Sequence, residues 1–165
     1  GKIKAATEAR DDPDFLIIAR SDVVGTVPLD QFKRNRAKHL GEAVRRCNEY
    51  AKAGADLIFA YGLFSKDDAE FFRKAVKAPL LGLYSPAMPI PFGVYKRLGF
   101  KVVISPVAML FSAVKGMLEG LEALKESKGD WNEAASKGVF VDLGEFYDII
   151  KLNSYKHLYG KYDIS

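Results

Sequence analysis

Asp14-Phe15-Leu16-Ile17-Ile18-Ala19-Arg20-Ser21-Asp22 is the stretch on which the fold turns. Five consecutive residues, Phe15 to Ala19, are apolar, and the run stops abruptly at Arg, Ser and Asp. A short unbroken apolar run predicts a strand buried on both faces, as in a parallel sheet covered by helices. A cation and two small polar residues at the C-terminal end of such a strand stand where α/β folds bind ligands. The same residues admit a plainer arrangement, with Arg20 and Asp22 simply pairing at the start of a loop.

Downstream, strand and helix patterns alternate. Leu40, Val44, Cys47 and Ala51 recur at helical spacing between Leu40 and Ala53, and Gly54 follows as a helix stop. Asp56 to Gly62 reads as a second buried strand. Ser65 is a good N-cap for a helix through Val76, with Asp67 and Asp68 favourable in its first turn. Pro79 to Ser85 is the third strand, with Pro tolerated at its first residue. The proline-rich Pro86 to Pro91 must be a loop, and a short helix to Leu98 leads to a fourth strand, Lys101 to Pro106. Leu110, Ala113, Val114, Met117, Leu118, Leu121 and Leu124 then form an apolar helical stripe ending near Lys128-Gly129. A polar connection leads to a last helix, about Leu143 to Leu152, and a Tyr- and Lys-rich tail. The alternation predicts the α/β class with parallel strands. Four such units suit either an open four-stranded sheet or half of an eight-stranded barrel. The first ten residues read as helix, so no strand precedes the first unit.

Composition narrows the function classes. The chain has 165 residues, 48% hydrophobic and 28% charged, and a net charge of +4. That length suits a single domain over residues 1–165, with no linker or low-complexity tract to divide it. The densest basic cluster, Lys33 to His39, lacks interleaved aromatics and any nucleic-acid motif, so it reads as a solvated helix entry or loop. No nucleic-acid partner is expected. No apolar run approaches membrane-spanning length and no signal-like segment opens the sequence, so no membrane partner is expected either. The single cysteine, Cys47, falls within a helical pattern and reads as a small core residue in a reducing compartment. His39 and His157 offer no zinc-ligand spacing.

The segments Gly1 to Ala6, Glu8 to Phe15 and Ile18 to Asp22 together resemble the isocitrate lyase/phosphoenolpyruvate mutase superfamily, closest to its methylisocitrate lyase and carboxyphosphonoenolpyruvate mutase branch. The family's "IARTDA"-, "AGADMIFPEA"-, "PLLANMTE"- and "YPLSALRAA"-like segments correspond to Ile18 to Asp22, Ala53 to Phe59, Pro79 to Leu81, and Ile104 to Pro106 running into Met109 to Ala113. The resemblance implies a TIM-type β/α barrel, of which this chain supplies the C-terminal half. It implies Mg²⁺ or Mn²⁺ held by carboxylates on earlier strands, with the family's Cys-containing catalytic loop also lying before Gly1. On those terms the chain is either a fragment or a natural half-barrel that pairs with a complementary half, and the isolated chain is expected to be inactive.

Residue by residue, Arg20 matches the family arginine that clamps a substrate carboxylate or phosphonate, a task suited to a planar two-pronged donor. Ser21 stands for the usual Thr and keeps its hydroxyl, Asp22 remains its neighbour, and Ser85 falls where the family has a substrate-binding Thr or Ser. A strand-end cap is the alternative for Ser85. Tyr61 takes the place of the family glutamate, and Leu83 that of an asparagine. A phenol and an isobutyl group thus stand where the family has a charge and a polar anchor, although Tyr61 and Tyr84 also suit simple packing. The substrate-binding set is therefore Arg20, Ser85, Tyr61, Ser21 and Asp22, with no catalytic residue and no metal ligand assigned.

The implied activity is that of a carbon–carbon lyase on a small 2-hydroxy or 2-oxo di- or tricarboxylic acid, through a metal-stabilised enolate. The alternative is a catalytically degenerate binding or assembly module, since two polar site positions have changed. The resemblance also implies a homotetramer whose dimers exchange a C-terminal helix, and a cytoplasmic or mitochondrial-matrix setting.

Overall fold

Four strands alternate with helices and lie parallel in the order β1-β2-β3-β4, as the apolar runs predict. The computed structural model describes residues 1–162. The chain groups into two compact units, Gly1–Ala108 and Met109–Ser165. The first contains α1 (Lys2–Glu8), β1 (Ile18–Ser21), α2 (Leu29–Arg34), α3 (Arg36–Lys52), β2 (Leu57–Ala60), α4 (Lys66–Ala75), β3 (Leu80–Leu83), α5 (Phe92–Arg97) and β4 (Val102–Ile104). Helices between successive strands provide the long crossovers that parallel pairing requires.

The register separates two faces. Arg20 lies opposite Phe59, Phe59 opposite Leu81, and Leu83 opposite Ile104. One face sends Ala19, Ile58, Ala60 and Leu80 into a core shared with Leu40, Ala43 and Cys47 of α3 and Phe72 of α4. The other carries a smaller cluster of Leu57, Phe59, Leu81 and Leu83 with Met88, against which Tyr61 and Ile104 pack. Strands β2 and β3 are buried on both faces, as expected of central strands.

The first strand differs from its prediction. It begins at Ile18 rather than Phe15 and alternates in burial, with Phe15 67%, Leu16 62% and Ile18 47% exposed. Among the described residues β1 is an edge strand, so one of its faces lacks the cover that β2 and β3 have.

Two carboxylates tie the unit together. Asp68, in the first turn of α4, is almost wholly buried; it accepts Arg36 Nε–H at 2.6 Å and the Phe64 backbone N–H at 3.0 Å. Its own N–H donates to Ser65 Oγ, confirming Ser65 as the N-cap. The basic cluster at Lys33 to His39 is thus a helix junction, and its Arg36 anchors α3 to α4. Asp56, just before β2, accepts the Ile17 backbone N–H at 2.9 Å and Arg10 Nη1–H at 2.7 Å. These contacts, the Ile17 amide first, hold its carboxyl below the usual Asp range. Cys47 is a core residue as expected, its thiol pushed up to about 12 by burial.

The second unit contains most of α6 (Ala108–Glu126), then α7 (Trp131–Ser136), α8 (Leu143–Ile149), a 3-10 turn (Leu152–Tyr155) and α9 (His157–Tyr162). Here the apolar stripe reads differently in three dimensions. Leu110, Val114, Met117, Leu118 and Leu121 are exposed, while small Gly120 and Ala123 are the buried positions of α6. A Cβ on Gly120 would lie 2.8 Å from Phe140 Cε1, so this turn packs through its lack of a side chain. The polar connection after α6 contains α7, capped by Asp130, which accepts the Glu133 N–H. The helix expected over about Leu143 to Leu152 is α8 and ends at Ile149, and the Tyr-rich tail that follows is itself helical to Tyr162. Among the described residues no helix is long and apolar enough to cross a membrane.

Removing the buried acceptor in Asp68→Ala strands Arg36 and the Phe64 N–H, and is expected to cost about 2–4 kcal/mol in urea unfolding. A loss under about 1 kcal/mol would show that this junction is not a structural anchor. Asp56 supplies a pH signature. Its folded pKa lies below the unfolded value, so its contribution is present above the ordinary carboxylate range and is lost as pH falls through the folded pKa. The stability gap between wild type and Asp56→Asn is therefore expected to be widest near neutral pH and to close below about pH 4. A gap independent of pH would contradict the charge-based origin.

Candidate active-site rim at the ends of β1 and β2

Alternation along β1 sends Arg20 and Ser21 to opposite faces of the sheet. Arg20 is half exposed on the face of Phe59 and Leu83, whereas Ser21 is buried on the helix-covered side with Ala19. Among the described residues the Ser21 hydroxyl has no hydrogen-bond partner, and its backbone carbonyl accepts the Tyr61 N–H at 3.0 Å. Ser21 therefore meets Tyr61 through its backbone, with its side chain turned away from Arg20.

Three contacts hold the Arg20 guanidinium. Its Nε–H donates to Asp22 Oδ1 at 2.8 Å, and its Cζ lies 4.7 Å from the Tyr61 ring centroid and 5.1 Å from that of Phe59. An ion pair this exposed contributes about 0–1 kcal/mol, and each cation–π contact at an open site roughly 0.5–1 kcal/mol. No one of them dominates; together they fix the plane. The plainer pairing of Arg20 with Asp22 thus exists, but it uses Nε alone. Among the described residues the terminal Nη groups make no hydrogen bond, so the fork that suits a carboxylate stays available.

Tyr61 is held as firmly as the arginine it faces. Its carbonyl accepts the Gly25 N–H at 3.0 Å, and a Cβ on Gly25 would lie only 2.0 Å from Tyr61 Cδ1. The ring therefore rests directly on the Gly25 backbone. Gly62, at φ +104°, completes the contact: a Cβ there would lie 2.5 Å from Gly25 N. The loop after β1 and the loop after β2 meet through two residues without side chains.

Ser85 lies just beyond β3, where its Oγ accepts the Met88 N–H at 3.3 Å in a tight turn. This is the strand-end capping arrangement. Leu83 is buried in the cluster of Phe59 and Leu81, and Tyr84 is exposed against Phe92, with ring centroids 5.2 Å apart. The structure thus brings Arg20, Asp22 and Tyr61 together, turns the Ser21 side chain away, and engages Ser85 in its own turn. Two members of the site were not singled out along the sequence: Phe59, which lies in a family-like segment but as one more residue of an apolar strand, and Gly25. Gly25 could have been singled out only as a glycine in the loop that follows the ligand-bearing strand.

Among the described residues no three His, Cys, Asp or Glu side chains gather as metal ligands. The carboxylate that pairs with Arg20 at this rim, that of Asp22, is already engaged by the guanidinium. These residues do not fit a Mg²⁺ or Mn²⁺ site, and no chemical step is assigned through such an ion here.

A parallel α/β sheet with a cation at the C-terminal ends of its strands has the arrangement in which α/β folds, β/α barrels among them, place their ligand sites. The phosphoenolpyruvate phosphomutase family model matches residues 1–125, and the chain belongs to that family, within the isocitrate lyase/phosphoenolpyruvate mutase superfamily. A probable 2-methylisocitrate lyase 2 from Corynebacterium glutamicum is 31% identical over 161 residues, covering 93% of this chain and 47% of its own length. The 2-methylisocitrate lyase of Aeropyrum pernix is 33% identical, covering 94% of this chain and 46% of that protein. A crystal structure of 2,3-dimethylmalate lyase, a member of the same superfamily, superposes with a TM-score of 0.73 at 26% identity, over 97% of this chain and 53% of that one. The chain spans about half the length of these relatives.

Proposed function

We propose that the protein carrying this chain is a carbon–carbon lyase of small 2-hydroxy or 2-oxo di- or tricarboxylic acids, with Arg20 as the group that holds a substrate carboxylate. The observation that carries this is the guanidinium itself: half exposed at a strand end, fixed by Asp22, Tyr61 and Phe59, with its terminal donors unused among the described residues. A carboxylate docking there would gain two parallel charge-assisted hydrogen bonds without reorganising the arginine. The names of the relatives, which describe lyases of methylisocitrate and dimethylmalate, support the same substrate class.

Asp22 serves as the partner that orients Arg20, and Tyr61 as its flat support. Ser21 acts through its carbonyl, and Ser85 shapes the turn at the rim. The divalent ion and the enolate chemistry implied by the resemblance belong to residues other than those described. So does the closure of the barrel by a complementary half, or by further copies of the chain in an oligomer. A second reading, a binding module without turnover, draws on Leu83 and Tyr61. These place a buried aliphatic and an aromatic ring on the face where the resemblance implies polar groups.

The test is cleavage of 2-alkylmalate, methylisocitrate and oxaloacetate by the intact protein with Mg²⁺ present, alongside calorimetry of dicarboxylate binding. Cleavage of one of these acids is expected, and Arg20→Ala is expected to weaken dicarboxylate binding by about 100-fold or more, with little change in unfolding midpoint. Binding without cleavage of any substrate would leave the binding-module reading. Unchanged affinity in Arg20→Ala would remove the arginine from the site.

A further inference from the structure

At the end of the sheet opposite the Arg20 rim, positive charge collects without a counter-charge. No acidic residue lies between Glu70 and Glu119, whereas the same stretch has seven basic ones. Six of these, Arg73, Lys74, Lys77, Lys96, Arg97 and Lys101, fall in the last turns of α4 and α5 or in the segments entering β3 and β4. Helical crossovers between parallel strands bring all such positions to one end. The contacts bring them closer still. Arg73 donates to the Ala78 and Lys77 carbonyls at 2.9 and 3.2 Å, folding the end of α4 onto the entry to β3. The Phe100 N–H donates to the Tyr95 carbonyl at 3.0 Å and the Lys101 N–H to the Leu80 carbonyl at 2.9 Å, which sets the end of α5 and the entry to β4 beside it.

Cations in a last helical turn complement the carbonyls of that end, and Arg73 is used in this way. That does not account for Lys77 and Lys101, which belong to no helix. Lys74, Lys77, Lys96, Arg97 and Lys101 are exposed, and among the described residues none of them makes an ion pair or a side-chain hydrogen bond. Glu70 pairs with Lys66 at the far end of α4, and Asp56 is engaged by Arg10. Asp11, Asp12 and Asp14 lie on the segment that enters β1, and β1 is three strand spacings, about 14 Å, from β4. That exceeds the screening length of about 8 Å at physiological salt, so these acids do not neutralise the cluster.

We propose that this end of the sheet docks a carboxylate-rich segment of a partner protein on Lys74, Lys77, Lys96, Arg97 and Lys101. The chemistry of the surface favours carboxylates over phosphates. Helices α4 and α5 present their carbonyl ends here, not the N–H groups on which phosphates settle. Four of the five cations are lysines, compact charges on mobile stems that suit spaced single carboxylates rather than planar two-pronged recognition. Docking there relieves the repulsion among unpaired cations and leaves the Arg20 rim, at the other end of the strands, open. The proposal is independent of what Arg20 binds.

The test is fluorescence anisotropy on the intact protein with a labelled oligo-glutamate peptide of about ten residues. A thymidine oligonucleotide of similar length and vesicles of phosphatidylserine in phosphatidylcholine serve as the competing anions. The peptide is expected to bind, and to weaken at least about tenfold between low and high salt. Combining Lys77→Glu with Lys101→Glu is expected to weaken it by a further factor of about ten or more. The matched reversal of the other basic cluster, Lys33→Glu with Lys38→Glu, is expected to leave it unchanged. Lys77→Gln with Lys101→Gln repeats the measurement should the charge-reversed protein fail to fold. Absence of peptide binding, or equal weakening by the two reversals, overturns the assignment of this surface. Tighter binding of the oligonucleotide or of the vesicles, lost in the Lys77 and Lys101 variants, assigns the surface to a phosphate-bearing partner and overturns the carboxylate reading. Light scattering of the protein alone completes the test. Self-association lost in the same variants assigns the surface to a second copy of this chain and overturns the proposal.

Discussion

Strand alternation is the constraint on which the rim depends. With a side-chain period of two, neighbours on β1 must part company: Ala19 and Ser21 go to the helix-covered core, and Arg20 to the opposite face. Parallel register then places Arg20 beside Phe59, and the Tyr61 N–H on the Ser21 carbonyl brings the next residue of that chain segment to the same level. Slipping β1 by one residue would bury the guanidinium and expose the serine. The helix-side core therefore specifies the site indirectly, because it specifies which β1 residues face inward.

The second constraint is close approach. Gly25 and Gly62 let two loops touch where any Cβ would separate them, and the Tyr61 ring occupies the space so created. A similar device appears at Gly82, where a Cβ would lie 2.6 Å from the Tyr95 ring, and Tyr95 in turn donates its hydroxyl to the Leu83 carbonyl at 2.8 Å. Burial pushes that phenol up to about 12, so it remains a donor throughout the ordinary pH range. Both faces of the sheet thus use glycine to seat an aromatic ring, one in the core and one at the rim.

Much of this was legible along the chain. The buried runs of β2 and β3, the Ser65 cap, Gly54 at φ +100° after α3, and core Cys47 all follow local rules of periodicity and capping. Phe15 and Leu16 did not, because an apolar run reports hydrophobicity and not which neighbours cover it. The α6 stripe formed the helix its spacing predicts, over Ala108–Glu126, but spacing again does not say what covers it. Leu118 and Leu121 have the right spacing for a core, but Gly120 and Ala123 are where the chain packs closely enough to bury a surface.

The sequence by itself determined the α/β class, the order of the elements, family membership and the presence of an arginine at a strand end, since each is written in composition, spacing or motif. Only the tertiary structure decided that Ser21 turns away while Arg20 faces Phe59, that Asp22 engages Nε and leaves the fork available, and that Gly25 supports Tyr61. Those facts depend on register and on contacts between loops 36 residues apart in number, from Gly25 to Tyr61. No local pattern records them, because each residue's role is set by what the fold brings against it.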